Sequence, residues 1–253
     1  MKYFVDKNSI VRHIWGKADT VLFIFAGAAA EFAVNKAVDW LYFTGRLPAD
    51  PLGRLFSTVT YARQIIFSSN DDALAAIDKI TAIHQSVEKT RGAQIPAWAY
   101  RDVLFMLIDY SVRSYELLER PLTAAEKQEV FRVFNKVGQR MGLEGLPESY
   151  RQWQIMRNQH LHADLIKSKF TTDLYRQYKK HLGLIRYLLV KQVQLLVCPP
   201  LVTRLIGING MRWLAPIIAI YKFFRLIKLD KPLKGALLPA QYKVQIQGLD
   251  VSS

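Results

Sequence analysis

The sequence predicts an all-α fold, a single helical domain over residues 1–253, and three observations carry that prediction. Apolar residues recur at three-to-four spacing, as in Val103, Leu104, Leu107, Ile108 and Val112. Start and stop signals for helices bracket these runs. No Asn-Gly or Asp-Gly dipeptide joins two alternating runs; Asn209-Gly210 has the turn residues but lacks period-two flanks. With 51% apolar residues in 253, the chain can bury one sizeable core.

The elements follow in order. Ser9 to Trp15 is a short lead-in. Asp19 or Thr20 can cap an apolar helix running to about Phe43, closed by Gly45 and Pro48. Asp50-Pro51 opens the next helix, with an acidic cap and proline at the first helical position. Asn70-Asp71-Asp72 caps another that reaches about Lys89, before Gly92 and Pro96 break the chain. A helix covers Ala97 to Leu118, and Thr123-x-x-Glu126 is a capping box for the one after it. Three further runs are predicted at 148–161, 171–197 and 210–228. Residues 229–253, with Pro232, Gly235, Pro239 and Gly248, read as an extended tail lying on the domain.

Charge divides the chain. Residues 1–150 hold 18 Lys+Arg against 17 Asp+Glu, whereas residues 151–253 hold 17 against 4. A strongly basic second half calls for an anionic partner. Its basic residues are interleaved with Leu, Ile, Tyr and Phe at helical spacing, without a helix-turn-helix or zinc module, so nucleic acid is not expected. The run Met211 to Leu229 sets Trp213, Phe223 and Phe224 beside Arg212, Lys222, Arg225 and Lys228, a mixture suited to an anionic membrane surface. The N-terminus lacks the pattern of a secretory signal. The apolar run Val21 to Ala30 is about half a membrane span, and Arg204, Asn209 and Arg212 interrupt Leu201 to Tyr221. The expectation is a cytoplasmic protein, peripheral to the membrane, without a spanning helix.

Few residues invite chemistry. The lone Cys198 excludes a disulfide framework and reads as packing beside Pro199-Pro200. His13 and His181 look solvated. On a helix His160 and His162 point about 200° apart, so they read as two exposed side chains that do not share a metal. His84 shares a helix face with Ile77, Ile80, Thr81 and Val87. Two readings of it stay open on the residues alone: a buried histidine satisfied by a neighbour, or a metal or haem ligand. Arg54 and Thr58, four apart, stack on one face with Tyr61 and Ile65, either as a solvated flank or as contacts to an oxygen-rich ligand. There is no Walker motif, no Gly-x-Ser-x-Gly elbow and no His-Glu-x-x-His.

Taken together, several stretches resemble one family. Asp50-Pro51-Leu52-Gly53-Arg54-Leu55-Phe56-Ser57-Thr58 is similar to the Asp-Pro-x-x-Arg-Leu-x-x-Thr signature of the oxygenase family named after MpaB, which includes the latex-clearing rubber oxygenases. Ile77 to Val87, with Ile83-His84, resembles its next helix. Tyr115-Glu116 with Pro121-Leu122-x-x-x-Glu126 resembles a third block, and Pro200 to Leu214 a late one. The likeness covers roughly residues 8–225. It implies a globin-like helical core holding haem b, with His84 as the iron ligand and Arg54 and Thr58 beside the haem. It also implies an oxygenase acting with dioxygen on an apolar, isoprenoid-like small molecule. The rubber oxygenases have a lysine just before the threonine, where this chain has Ser57; Asp39, on the preceding helix, is the candidate carboxylate. The alternative is a non-catalytic basic helical protein that docks on anionic membranes.

Overall fold

Helices account for every regular element in the computed structural model, which describes residues 2–43, 45 and 50–226. In chain order they are α1 (Ile10–Trp15), α2 (Ala18–Val34), α3 (Val38–Phe43), α4 (Pro51–Phe67), α5 (Asn70–Arg91), α6 (Ala97–Leu118), α7 (Ala124–Arg140), α8 (Tyr150–Ala163), α9 (Lys169–Val197), α10 (Pro200–Ile206) and α11 (Leu214–Leu226). Among the described residues the only β-type pairing is two isolated bridges, Tyr3 with Ser69 and Asn35 with Leu165. The expected tail at 229–253 lies outside the described residues.

The apolar helix α2 is the axis of the fold, packed between α6 and α9. Its mostly apolar sequence suits a position with neighbours on several sides. The core around it is continuous and includes Trp15, Ile24, Phe105, Ile108, Phe131 and Val202. Trp15 is fully buried; its indole N–H donates to Ser111 Oγ at 3.1 Å, and its ring meets the edge of Phe25. Each such large side chain contributes about 1.5–3 kcal/mol through burial.

The boundaries show which local signals prevailed. The helix expected to run to Phe43 stops at Val34, because Asn35 turns extended and its side-chain oxygen accepts from Ala37 N at 2.8 Å. Asp19 and Thr20 lie inside α2 rather than capping it. At α5 the cap is Ser69, one residue before the expected Asn70, with Ser69 Oγ accepting from Asp72 N. The capping box at α7 forms with both of its bonds, and Asp50 caps α4 as expected. The segment 200–206, not expected as a helix, forms α10, ended by Gly207 at φ +73°.

The largest departure is in α9, expected as one rod. Gly183 adopts φ 72°, ψ 168°, a conformation closed to other residues. Tyr175 and Gln194, nineteen residues apart, would be about 28 Å apart along a straight helix, yet Tyr175 Oη donates to Gln194 Oε1 at 2.9 Å. Segments 169–182 and 184–197 therefore form a hairpin with Gly183 at its corner. Open space surrounds the position where a Cβ at Gly183 would stand, so only backbone strain opposes a side chain there. Gly183→Ala is expected to lower unfolding stability by about 1–3 kcal/mol, measured by urea denaturation, with the native helical circular dichroism retained.

Candidate functional site

The region expected to carry chemistry begins at the N-terminus of α4. Asp50 accepts a hydrogen bond from Gly53 N at 2.8 Å. A Cβ on Gly53 would stand 2.0 Å from Asp50 Oδ2, so the carboxylate can fold over the first turn only above a glycine. This accounts for the Asp-Pro-x-Gly order in physical terms. The cap starts the helix at the residue that sets the register of Arg54 and Thr58.

Only Ser68 and Ser69 join α4 to α5, and the two helices pack side by side as an antiparallel pair. Arg54 lies fourteen residues before Ser68 and His84 fifteen after Ser69, so both stand about 21–23 Å from the turn. Thr58 is one turn nearer to it. The turn itself is fixed by the N-terminal chain: Asn70 N donates to the Lys2 carbonyl at 2.9 Å, and the Arg12 guanidinium lies between the rings of Tyr3 and Phe67. The backbone thus brings Arg54 and His84 level on neighbouring helices. The side chain of Arg54 lies outside the described residues; those of Ser57 and Thr58 are half-buried.

Beyond Ile77, no side chain of α5 is fully buried. Ile80, Thr81, His84, Val87, Glu88 and Arg91 form a half-buried row, while Ile83, on the other side, is exposed. The apolar face expected around His84 is thus present but only partly covered. The His84 ring meets the edge of Tyr100 at 5.2 Å. Tyr100 Oη donates to Glu88 Oε1 at 3.0 Å, and the same carboxylate oxygen accepts from Ile95 N at 2.9 Å. Burial and then Glu88 hold the Tyr100 phenol above its ordinary range, so it stays protonated and keeps donating. Asp39 is not an unengaged base: Arg91 donates to it at 2.7 Å and stacks 3.9 Å over the Trp40 ring.

Two polar centres escaped the sequence reading. The first is internal but for Arg113, which reaches it from the partly exposed side of α6. Arg157, on α8 and 4% exposed, donates Nη2 to Glu31 Oε2 of α2 at 2.6 Å and to Asp109 Oδ2 of α6 at 3.1 Å. Tyr110 Oη donates to Glu31 at 2.8 Å, and Arg113 Nε to Asp109 at 2.7 Å. Burial alone would lower the Arg157 pKa, but Glu31 and Asp109 outweigh it and hold the group charged. The second centre joins Asp102 of α6 to His160 of α8. His160 Nδ1 meets Asp102 Oδ1 and lies 3.4 Å from Asp164 Oδ2, while Asn35 Nδ2 donates to Asp102 Oδ2 at 2.6 Å. His160 is therefore half-buried and engaged, which corrects its reading as an exposed residue. His162 is exposed as expected and turns back to the Asn158 carbonyl. One nitrogen and two carboxylates, all within 4.8 Å of one another, could hold a divalent cation. The Asp164 carboxyl is raised by burial and by Asp102, and pulled down by His160, Lys36 and Arg101, so positive charge already reaches it from the protein. The signal that could have revealed the pair was His160 four residues before Asp164, at the end of one helix.

His181 is half-buried rather than solvated. Cys198 is packed inside, its thiol pushed up by burial, in line with a packing role. His13 lines a polar depression of about 250 Å³ with Tyr115, Arg120 and Glu129, well apart in the chain from His84.

Fold and site together define an all-α protein in which a capped helix hairpin sets the backbone of Arg54 level with that of His84, whose own side chain is half-buried. The family model described as the ER-bound oxygenase mpaB/B'/rubber oxygenase catalytic domain matches residues 13–225, and the chain belongs to that family. No curated protein matches the chain.

Removing the internal arginine tests how much the bundle rests on it. Arg157→Ala leaves two buried carboxylates short of their counter-charge and is expected to cost about 3–5 kcal/mol in urea unfolding. Arg157→Lys keeps the charge but loses the fork, and should recover only part of that loss.

Proposed function

We propose that the protein is a haem b-dependent oxygenase that uses dioxygen to oxidise an apolar, isoprenoid-like small molecule, with His84 as the iron ligand and Arg54 and Thr58 beside the haem. The observation that carries this reading is the common level of Arg54 and His84 on the α4–α5 hairpin, in a chain that belongs to an oxygenase family. The residues present suit the group. Haem needs one axial imidazole, an apolar wall and cationic or hydroxyl partners for its polar edge. His84 lies on a half-buried, partly apolar face with Ile80 and Val87. When bound, the haem supplies the oxygen chemistry.

The chain's own groups then have distinct tasks. The contact with Tyr100 fixes the plane of the His84 ring, and Glu88 fixes Tyr100. Thr58 offers a hydroxyl that can donate or accept, and Arg54 a permanent positive charge suited to a carboxylate. Ser57 leaves a short hydroxyl where the rubber oxygenases have a lysine. The Arg91–Asp39 pair, stacked on Trp40, fastens the C-terminal end of α5 to α3. The same reading places the basic half of the chain against an anionic membrane. No helix of the described residues is long and apolar enough to cross one.

Two substitutions test the assignment. His84→Ala should fold with unchanged helical content but purify without a Soret band; full Soret intensity with an unchanged axial-ligand signature would remove His84 from the site. Arg54→Ala should lower haem retention by about tenfold in a transfer assay to apomyoglobin, with little change in thermal stability. Unchanged retention would make Arg54 and Thr58 a solvated flank.

A further inference from the structure

Seven of the twelve most exposed large apolar side chains among the described residues fall between positions 184 and 220. Three of them, Leu184, Ile185 and Leu188, stand immediately after the Gly183 corner, at the tip of the α9 hairpin. Ile185 is 76% exposed. Lys179 and Lys180, both exposed, flank the tip on the incoming limb. The outgoing limb packs through Leu189, Val193 and Leu196 against Leu214, Ile218 and Tyr221 of α11. On α11 the contact residues leave Ile217 and Ile220 outside, and the chain leading into it exposes Met211 and Trp213. Tip and helix are thus adjoining parts of one apolar region.

Its charge is one-sided. Residues 174–226 hold nine Lys+Arg and no Asp or Glu, and Arg176 among the nine pairs with the carboxylate just before them, Asp173. That combination selects among occupants. A second copy of the chain would bring like charge against like charge. Nucleic acid would answer the lysines and arginines but would leave Ile185, Met211 and Ile220 without a counterpart. A bilayer bearing anionic headgroups meets both needs, taking the apolar side chains below the headgroups and the basic ones beside lipid phosphate. Trp213, with an apolar ring and a polar N–H, suits the boundary between them.

We infer that the Gly183 corner of α9 and the outer side of α11 form a docking face for anionic lipid bilayers, with Leu184, Ile185, Leu188, Ile217 and Ile220 entering the interface. This deepens the function proposed above by naming the phase from which an apolar substrate is drawn. It rests on that proposal for the substrate alone, not for the binding. The face is built from folded helices held by the core, so it is presented without prior rearrangement.

The test uses the full chain, sedimented with vesicles of phosphatidylcholine alone and of phosphatidylcholine with phosphatidylserine, at low and high salt. Haem content is read from the Soret band of the same samples, so that vesicle binding and the haem assignment stand or fall separately. The wild-type chain should bind the anionic vesicles and release from them in high salt. Ile185→Glu combined with Ile220→Glu, both at exposed positions, should weaken binding at least about tenfold without changing helical content. Ile155→Glu, at an exposed isoleucine of α8, should bind as the wild type does. Absence of wild-type binding to anionic vesicles would overturn the inference. So would a double variant that still binds fully, since the basic charge alone would then explain the attraction. A wild-type dimer in light scattering that the double variant dissociates would assign the face to a second copy instead.

Discussion

A single buried cation holds the bundle in register. Arg157 reaches from α8 between Glu31 of α2 and Asp109 of α6, three elements far apart in the chain; backbone hydrogen bonds tie α2 to α8 only at their C-terminal ends, where Ile166 N donates to the Val34 carbonyl. Removed from water, each of these charges is tolerable only in the presence of the others. The arrangement therefore penalises any sliding of one helix along another by a turn. Tyr110 extends the constraint: its hydroxyl completes Glu31, and its ring lies where a Cβ on Gly27 would stand, 2.3 Å away. Gly27 thus leaves room for the Tyr110 ring against α2, and the hydroxyl's bond to Glu31 fixes that ring in place.

The elements that sequence made legible are those governed by local rules. Asp50-Pro51 and Thr123-x-x-Glu126 cap helices because their bonds span three residues and need no partner from elsewhere. Gly92 ends α5 for the same reason. Gly183 marks where local reasoning stops. Its flanks read as one continuous helical pattern, and the fold-back depends on Tyr175 and Gln194 finding each other across nineteen residues. Glu31 is similar: within an apolar helix it looks like a boundary, and only Arg157, 126 residues away, makes it an interior residue. His160 looked like one of two surface histidines because its partner Asp102 lies on another helix. At the candidate site the motif order was legible, whereas the half-open state of the face around His84 depends on how α4 and α6 cover α5.

The architecture separates rigidity from access. The ionic centre, Trp15 and Gly27 keep α2 and α6 fixed. The wall carrying His84 is less enclosed, with side chains on α5 only half-covered past Ile77. The hydrogen bonds of Glu88 and the Arg91–Asp39 pair fasten the far end of that wall without filling it. The first half of α5 belongs to the core through Ala73, Ala76 and Ile77, whereas the half that carries His84 lies at its margin.

The interior position of Cys198 has a practical consequence. It is the chain's single sulfhydryl, enclosed near Gly27 and held protonated by burial. Thiolate is the form that alkylating probes attack, so the native protein is close to inert toward maleimides. A cysteine placed at an outward position such as Ile185→Cys would then be the one labelling point. A nitroxide or environment-sensitive dye attached there would report on the hairpin tip with no background from the rest of the molecule.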